Sequence, residues 1–162
     1  GKPNDYDVAT SASPDRMVEI FADYRAIDTG LKHGTLTVLS EGNPVEITAF
    51  RVDGSYSDSR HPDSVSFTRS IGEDLARRDF TVNAMAYNHE AGLIDLYGGR
   101  DDLERGIIRA VREPELRFCE DALRIMRAFR FSAQLGFEIE KKMFEDATTL
   151  FTESFTETVR FG

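Results

Sequence analysis

Long apolar runs are missing from this chain: no stretch approaches the roughly 20 residues that a membrane-crossing helix needs, and no charged-then-apolar leader opens it. Cysteine is almost missing too. The one cysteine, Cys119, cannot form an internal disulfide, and its isolation fits a reducing, cytoplasmic setting. A positive balance is also lacking. Lys and Arg number 20 against 29 Asp and Glu, a formal charge of −9, which taken alone argues against a nucleic-acid partner. There are no repeats and no low-complexity linker. What remains is a globular composition, 40% hydrophobic in 162 residues, enough for one domain or for a small sheet domain with a helical extension.

The distribution of charge says more than its sum. Residues 60–130 contain 12 cations against 13 acids, and every one of those cations is arginine. Arginine without lysine suits phosphate or planar-base contacts, because its fork of donors is rigid and always charged. Ordinary surface ion pairing would produce the same count.

Asp5-Tyr6-Asp7-Val8-Ala9-Thr10 alternates as a half-buried strand does, with Asp5 and Asp7 on one face and Tyr6 and Val8 turned towards a core. Ser13-Pro14 reads as an N-cap and first helical residue, opening a helix to about Tyr24. Strands are expected at residues 33–39 and 45–52, with a turn over 40–44 and a polar, mobile loop over 53–64. A short strand at 65–68, a helix or helix pair over 71–86 and a strand at 93–96 follow. The strongest helix is expected over 114–136, with another from about Lys141. Strands mixed with helices first, and helices alone later, predict an α+β head running into an all-helical neck, with head 1–110 and neck 111–162.

Three groups of residues carry chemistry. Asp5 and Asp7 repel one another, and divalent cations between them relieve that cost. Such a pair holds the metals of phosphoryl transfer, although sugar-nucleotide glycosyltransferases also use an Asp-x-Asp motif. Glu46 could complete the site or simply face water. In the second group, Arg77-Arg78-Asp79-Phe80-Thr81-Val82-Asn83, Asp79 can fix an arginine or accept from a ribose hydroxyl, and Asn83 can serve a sugar or a phosphate.

The third group lies on the expected long helix. Ala122, Leu123, Ile125, Met126, Phe129 and Ala133 would form its buried arc, and Glu120, Asp121, Arg124 and Arg127 the opposite one, with Arg130 continuing the ridge. Asp121 beside Arg124 pairs an acceptor with a donor fork. Cytosine and adenine each show an amino donor next to a ring-nitrogen acceptor, whereas uracil and guanine reverse both. A reversed bidentate contact costs on the order of 1–3 kcal/mol. A plain surface ion pair, worth a few tenths of a kcal/mol, would look the same in sequence.

Together the segments Lys2-Pro3-Asn4-Asp5-Tyr6-Asp7-Val8-Ala9-Thr10, His33-Gly34-Thr35, Val45-Glu46-Ile47-Thr48, Tyr56-Ser57-Asp58-Ser59-Arg60, Arg77-Arg78-Asp79-Phe80-Thr81, Asp95-Leu96-Tyr97-Gly98-Gly99 and Glu120-Asp121-Ala122-Leu123-Arg124 resemble the class II tRNA nucleotidyltransferases, the family of CCA-adding enzymes and bacterial poly(A) polymerases. The resemblance runs to about Glu140. It implies a polymerase-beta-like nucleotidyltransferase head, with Asp5 and Asp7 as ligands of catalytic Mg²⁺. Arg78 and Asp79 would hold ribose and phosphate. Asp95, Gly98 and Gly99 would form a hinge, and Glu120, Asp121 and Arg124 a protein template that selects CTP and ATP. Arg127 and Arg130 would contact the nucleotide's phosphates, and residues 56–64 would be a loop that switches C to A addition.

The reaction implied is addition of CMP and AMP to the 3′ end of tRNA with release of pyrophosphate. CC-adding, A-adding and poly(A)-polymerase activities share these motifs, and a nucleotide-binding remnant without transfer activity is the reading from another class. The family's glycine-pair loop and Val-Arg-Asp segment, which cradle a triphosphate on backbone N–H groups, and its helical body and tail have no match here. They are expected from outside these residues, as parts of a longer protein or from another chain.

Overall fold

The computed structural model describes residues 6–54, 64–121 and 123–160, and the side chains of these except residues 120 and 151–160. Two compact units divide the chain. The first comprises Gly1–Gly54 with Ser64–Asp74, and the second runs from Leu75 onward. The division falls inside a short helix, α2 (Ile71–Ala76).

The first unit is a mixed four-stranded sheet with one covering helix. Its strands are β1 (Asp7–Thr10), β2 (Ala26–Gly30), β3 (Thr35–Ser40) and β4 (Asn43–Ala49), in the order β1-β4-β3-β2. β1 runs parallel to β4, and the other pairings are antiparallel. Strict alternation builds one apolar face. Leu36 and Val38 of β3 and Ile47 and Ala49 of β4 are buried, and Met17 of α1 (Pro14–Ile20) packs into them. The β3–β4 turn is tighter than the expected five residues. Glu41 and Gly42 both take positive φ, at 51° and 83°, the geometry of a two-residue hairpin loop.

Helix α1 ends four residues earlier than expected. Phe21 terminates it with φ −99° and ψ 18°. Tyr6 and Val8 remain exposed instead of facing a core, because β1 is an edge strand of this sheet. β2 was not anticipated. The expected strand 45–52 is two elements, β4 and then β5 (Arg51–Asp53), which pairs with β6 (Val65–Phe67).

The second unit packs around Phe80, Ile108, Phe118, Ala128 and Met143. Its elements are a hairpin of β7 (Met85–Asn88) and β8 (Gly92–Asp95), helix α3 (Gly99–Arg105), β9 (Ile107–Ile108), α4 (Pro114–Glu120), α5 (Leu123–Leu135), β10 (Glu138–Ile139) and α6 (Lys141–Arg160). Two expectations change. Residues 77–86 do not continue a helix: Phe80 forms an antiparallel bridge with Ala110, Val111 N–H donates to Asp79 O, and Thr81 N–H donates to Arg109 O. A single 3₁₀ turn, Thr81–Asn83, leads from there into β7. The long helix expected over 114–136 is broken in two. Asp121 is extended (φ −147°, ψ 103°), and its carboxylate accepts from Leu123 N–H at 2.9 Å, capping α5.

Candidate functional site

In the first unit, Asp7 stands opposite Glu46 in the register of the parallel pair β1–β4, and Thr37 of β3 lies opposite Glu46 on its other side. Residues in register share a face, so two carboxylates and a hydroxyl leave the sheet together, away from the Met17 core. Both acids are exposed. The hydroxyl row continues beside them, with Thr35 to Thr48 at 3.2 Å and Thr29 to Thr37 at 2.8 Å. Neighbouring strands lie about 4.8 Å apart, so the two carboxylates are spaced to share one hard divalent cation, whose preferred ligands are oxygens. Asp5 lies outside the described residues. Among the described residues no group of three or more His, Cys, Asp or Glu gathers to hold a metal. The donor set nevertheless fits such an ion.

The remaining predicted residues fall in the second unit, and most of them converge. Asp79 is the hub. Its Oδ1 accepts from Phe80 N–H at 2.8 Å and from Asn83 Nδ2 at 3.1 Å, while Oδ2 accepts from Arg127 Nε at 2.8 Å and Nη2 at 2.7 Å. Of the alternatives open to Asp79, the structure adopts the arginine clamp. A buried carboxylate with these donors is fully satisfied. Arg78 Nη1 donates to Asn83 O at 3.2 Å, so residues 78–83 close into a knot.

Arg127 and Arg130 both lie over the Phe131 ring, 5.4 and 5.1 Å from its centroid. Phe131 in turn meets Phe80 edge-to-face at 5.8 Å. The clamped arginine is therefore held by a carboxylate on one side and an aromatic pair on the other.

Arg124 corrects the sequence reading of α5. It is only 7% exposed, with Nη1 donating to Arg117 O at 3.2 Å and Nη2 to Arg77 O at 3.3 Å. Leu123, Met126, Phe129 and Ala133, expected on the buried arc, are exposed instead, and Arg124, Ala128 and the half-buried Phe131 face inward. Main-chain carbonyls make this possible, since a guanidinium can be buried once its donors are matched. Asp121, half-buried, precedes it by three residues at the break between α4 and α5. The side chain of Glu120 lies outside the described residues, as does residue 122.

Asp95 sits at the end of β8 and caps α3. Gly99 N–H donates to its Oδ1 at 2.8 Å and Arg100 N–H to its Oδ2 at 2.9 Å. Burial alone would raise its carboxyl, but the N–H groups of Arg100, Gly99, Tyr97 and Gly98 outweigh that and hold it below the ordinary value of 3.8. Gly98 takes φ 74°, and a Cβ on Gly99 would come within 2.1 Å of Thr81 O. No side chain fits there.

Sequence reasoning missed a buried group beside this turn. Asp102, 1% exposed, accepts from Thr81 Oγ1 at 2.6 Å and from Arg109 Nε at 2.8 Å, and Arg109 Nη2 reaches Tyr97 O at 3.3 Å. It also missed Arg117, which is buried and donates to Ala76 O at 3.3 Å. The only sequence signal was the arginine-only stretch itself, which did not reveal that several of these side chains point inward.

The sequence pattern of the Poly A polymerase head domain matches residues 1–109. The CCA-adding enzyme of Leuconostoc mesenteroides is 53% identical over 137 residues, which is 85% of this chain and 34% of that protein. The CCA-adding enzyme of Geobacillus thermodenitrificans is 52% identical over 140 residues, 86% of this chain and 34% of that one. Among solved structures, the Bacillus stearothermophilus CCA-adding enzyme in complex with CTP superposes with a TM-score of 0.80 at 46% identity, covering 90% of this chain and 34% of its own. A CCA-adding enzyme complex with ATP gives 0.73 at 29% identity, covering 97% and 35%. The chain thus spans about a third of the length of the curated relatives it matches.

Proposed function

The chain belongs to the family of the Poly A polymerase head domain, and from that premise we propose that it is the catalytic part of a template-independent nucleotidyltransferase that adds CMP and AMP from CTP and ATP to the 3′ end of tRNA. The observation that carries this reading is Asp7 opposite Glu46 on the polar face of the sheet. CCA addition is favoured over poly(A) synthesis or partial addition because the relatives quoted above are CCA-adding enzymes. Residues 1–110 are assigned to the head and 111–162 to the neck.

In this reading the RNA 3′-oxygen attacks the α-phosphorus of the bound nucleotide, a new P–O bond forms, and pyrophosphate leaves with the electrons of the bond that breaks. Asp7, Glu46 and Asp5 are the residues to hold Mg²⁺, which when bound supplies positive charge at the transferring phosphate and favours the ionised hydroxyl. Family membership supports a divalent ion in general, and the exposed oxygen donors suit it.

The chain's own residues hold the nucleotide. Arg127, with Nε and Nη2 committed to Asp79, keeps a partly exposed guanidinium for the triphosphate, and Arg130 adds a second cation beside it. Preset donors cost little reorganisation when the phosphate charge shifts. Asp121 accepts from the exocyclic amino group of cytosine or adenine, and Arg124, fixed by two carbonyls, donates to the ring nitrogen. Glu120 lies next to this edge in sequence. Asp95, Gly98 and Gly99 form the turn that a hinge between head and neck would use.

A tRNA lacking its terminal CCA, offered radiolabelled CTP and ATP in Mg²⁺, tests the reading. Sequential incorporation of C, C and A supports it. Equal incorporation of UMP and GMP would reject the template assignment, and a long run of A would transfer the protein to the poly(A) polymerases.

A further inference from the structure

Arg117 and Arg124 close a ring of contacts in the second unit. The guanidinium of Arg117, 9% exposed, donates through Nη1 to Ala76 O at 3.3 Å, bridging residues 41 apart in sequence. Arg124 donates through Nη2 to the next carbonyl along, Arg77 O at 3.3 Å, and through Nη1 to Arg117 O at 3.2 Å. The end of α2, the last turn of α4 and the first turn of α5 are thereby tied to one another. Helix ends supply the acceptors, because carbonyls there run out of partners within their own helix. A buried guanidinium needs such acceptors for its donors.

Asp121 hangs on the same carbonyl. Its N–H donates to Arg117 O at 3.3 Å, and its own carbonyl accepts from Arg124 N–H at 3.0 Å. Oδ1 of its carboxylate takes Leu123 N–H at 2.9 Å, which leaves Oδ2 to accept from a base. Both members of the base-reading pair are therefore fastened to Arg117 O. The other anchor of Arg124 is Arg77 O, and the distance between these two anchors is held by the Arg117 side chain reaching across to Ala76 O.

A bidentate contact separates one base from another only while donor and acceptor keep their spacing, to within about 0.5 Å and 10–20°. We infer that Arg117 is a positioning residue for nucleotide selection. It acts through Arg124 and Asp121 rather than on the nucleotide, and it sets the spacing that favours cytosine and adenine over uracil and guanine. The role rests on the template reading of Asp121 and Arg124. The arginines assigned to the triphosphate stand outside this ring: Arg127 is clamped by Asp79, and Arg130 lies over Phe131. Loss of Arg117 therefore acts on the choice of base and spares the grip on phosphate.

Calorimetric titration of CTP and UTP in Mg²⁺ into the unaltered protein, Arg117→Met and Arg124→Ala tests this, each below its melting temperature. The unaltered protein is expected to prefer CTP by at least about tenfold, the discrimination of one bidentate contact. Arg117→Met should reduce that preference roughly 3- to 10-fold by weakening CTP towards UTP, while UTP, held by its triphosphate, changes little. If Arg117→Met does not fold, Arg117→Gln, polar but shorter, replaces it with the same expectation. A purely structural arginine would weaken CTP and UTP by one common factor. An unchanged CTP-to-UTP ratio in a folded Arg117 variant, beside an Arg124→Ala that has lost the preference, overturns the positioning role alone. If the unaltered protein binds CTP and UTP alike, or Arg124→Ala keeps the preference, the template reading fails and the positioning role fails with it.

Discussion

Asp7 faces Glu46 across two parallel strands, and neither acid is buried. Their arrangement comes directly from register: a slip of one residue would send Glu46 into the core and bring Ile47 out beside Asp7. The same alternation that buries Leu36, Val38, Ile47 and Ala49 therefore sets the acidic pair on the opposite face.

Because Asp7 is exposed and outside the core, Asp7→Ala should lower nucleotide transfer by roughly 10³-fold, about 4 kcal/mol of lost metal-assisted stabilisation. Its melting temperature should stay near that of the unaltered protein. Extension kinetics together with a melting curve check both halves. Near-normal transfer in this variant would reject the metal assignment.

Replacing Asp79 by alanine removes the acceptor for Arg127, Asn83 and the Phe80 N–H at once. Since Arg127 is partly exposed, the loss of stability should be moderate, about 1–3 kcal/mol. CTP affinity should fall about tenfold, because the guanidinium loses its fixed position. Calorimetric titration and chemical denaturation separate the two effects. An Asp79→Asn variant keeps acceptors for the backbone and should restore stability more than affinity.

Gly99→Ala would set a methyl group 2.1 Å from Thr81 O, with the Thr81 carbonyl carbon and Met85 also within 3.0 Å. Backbone must move to relieve it. The variant should lose about 3 kcal/mol or more, roughly 10 °C in melting temperature for a protein of this size. An unchanged transition would contradict the close approach of α3 to the 3₁₀ turn.

The lowered carboxyl of Asp95 makes its contribution pH-dependent. A group whose folded value lies below its unfolded one adds stability that is fully present above the unfolded value, 3.8, and is lost as pH falls through the folded value. Asp95→Ala should therefore cost about 1 kcal/mol, the usual worth of a helix cap, at neutral pH. The difference from the unaltered protein should shrink only in strong acid, below the ordinary carboxylate range. Denaturation midpoints measured from pH 7 down to below pH 2 follow it, and a gap that stays constant into that strong acid would show that the N–H contacts do not depend on ionisation.

Much of this arrangement was legible in sequence, and the failures have physical causes. Strand β4 was readable because Val45, Ile47 and Ala49 alternate with Glu46 and Thr48. β2 was not, since it is an exposed edge strand whose register shifts between Ile27 and Gly30, leaving no alternation to detect. The break between α4 and α5 was hidden by a continuous helical pattern of apolar residues. Asp121 ends it because an aspartate can cap a helix as readily as it can sit on one. The inward turn of Arg124 depends on carbonyls of Arg77 and Arg117, and the clamp on Arg127 depends on Asp79, all brought together by tertiary structure. Motif spacing identified these residues as a group but carried no information about which of them would grip one another.

The most direct measurement is calorimetric titration of CTP, ATP, UTP and GTP, each with and without Mg²⁺, into the unaltered protein and Arg124→Ala. CTP and ATP should bind at least about tenfold more tightly than UTP and GTP, the discrimination of one bidentate contact, with a marked dependence on Mg²⁺ that Arg124→Ala leaves in place while erasing the preference. Four equal affinities in the unaltered protein, or binding indifferent to the metal, would contradict the account.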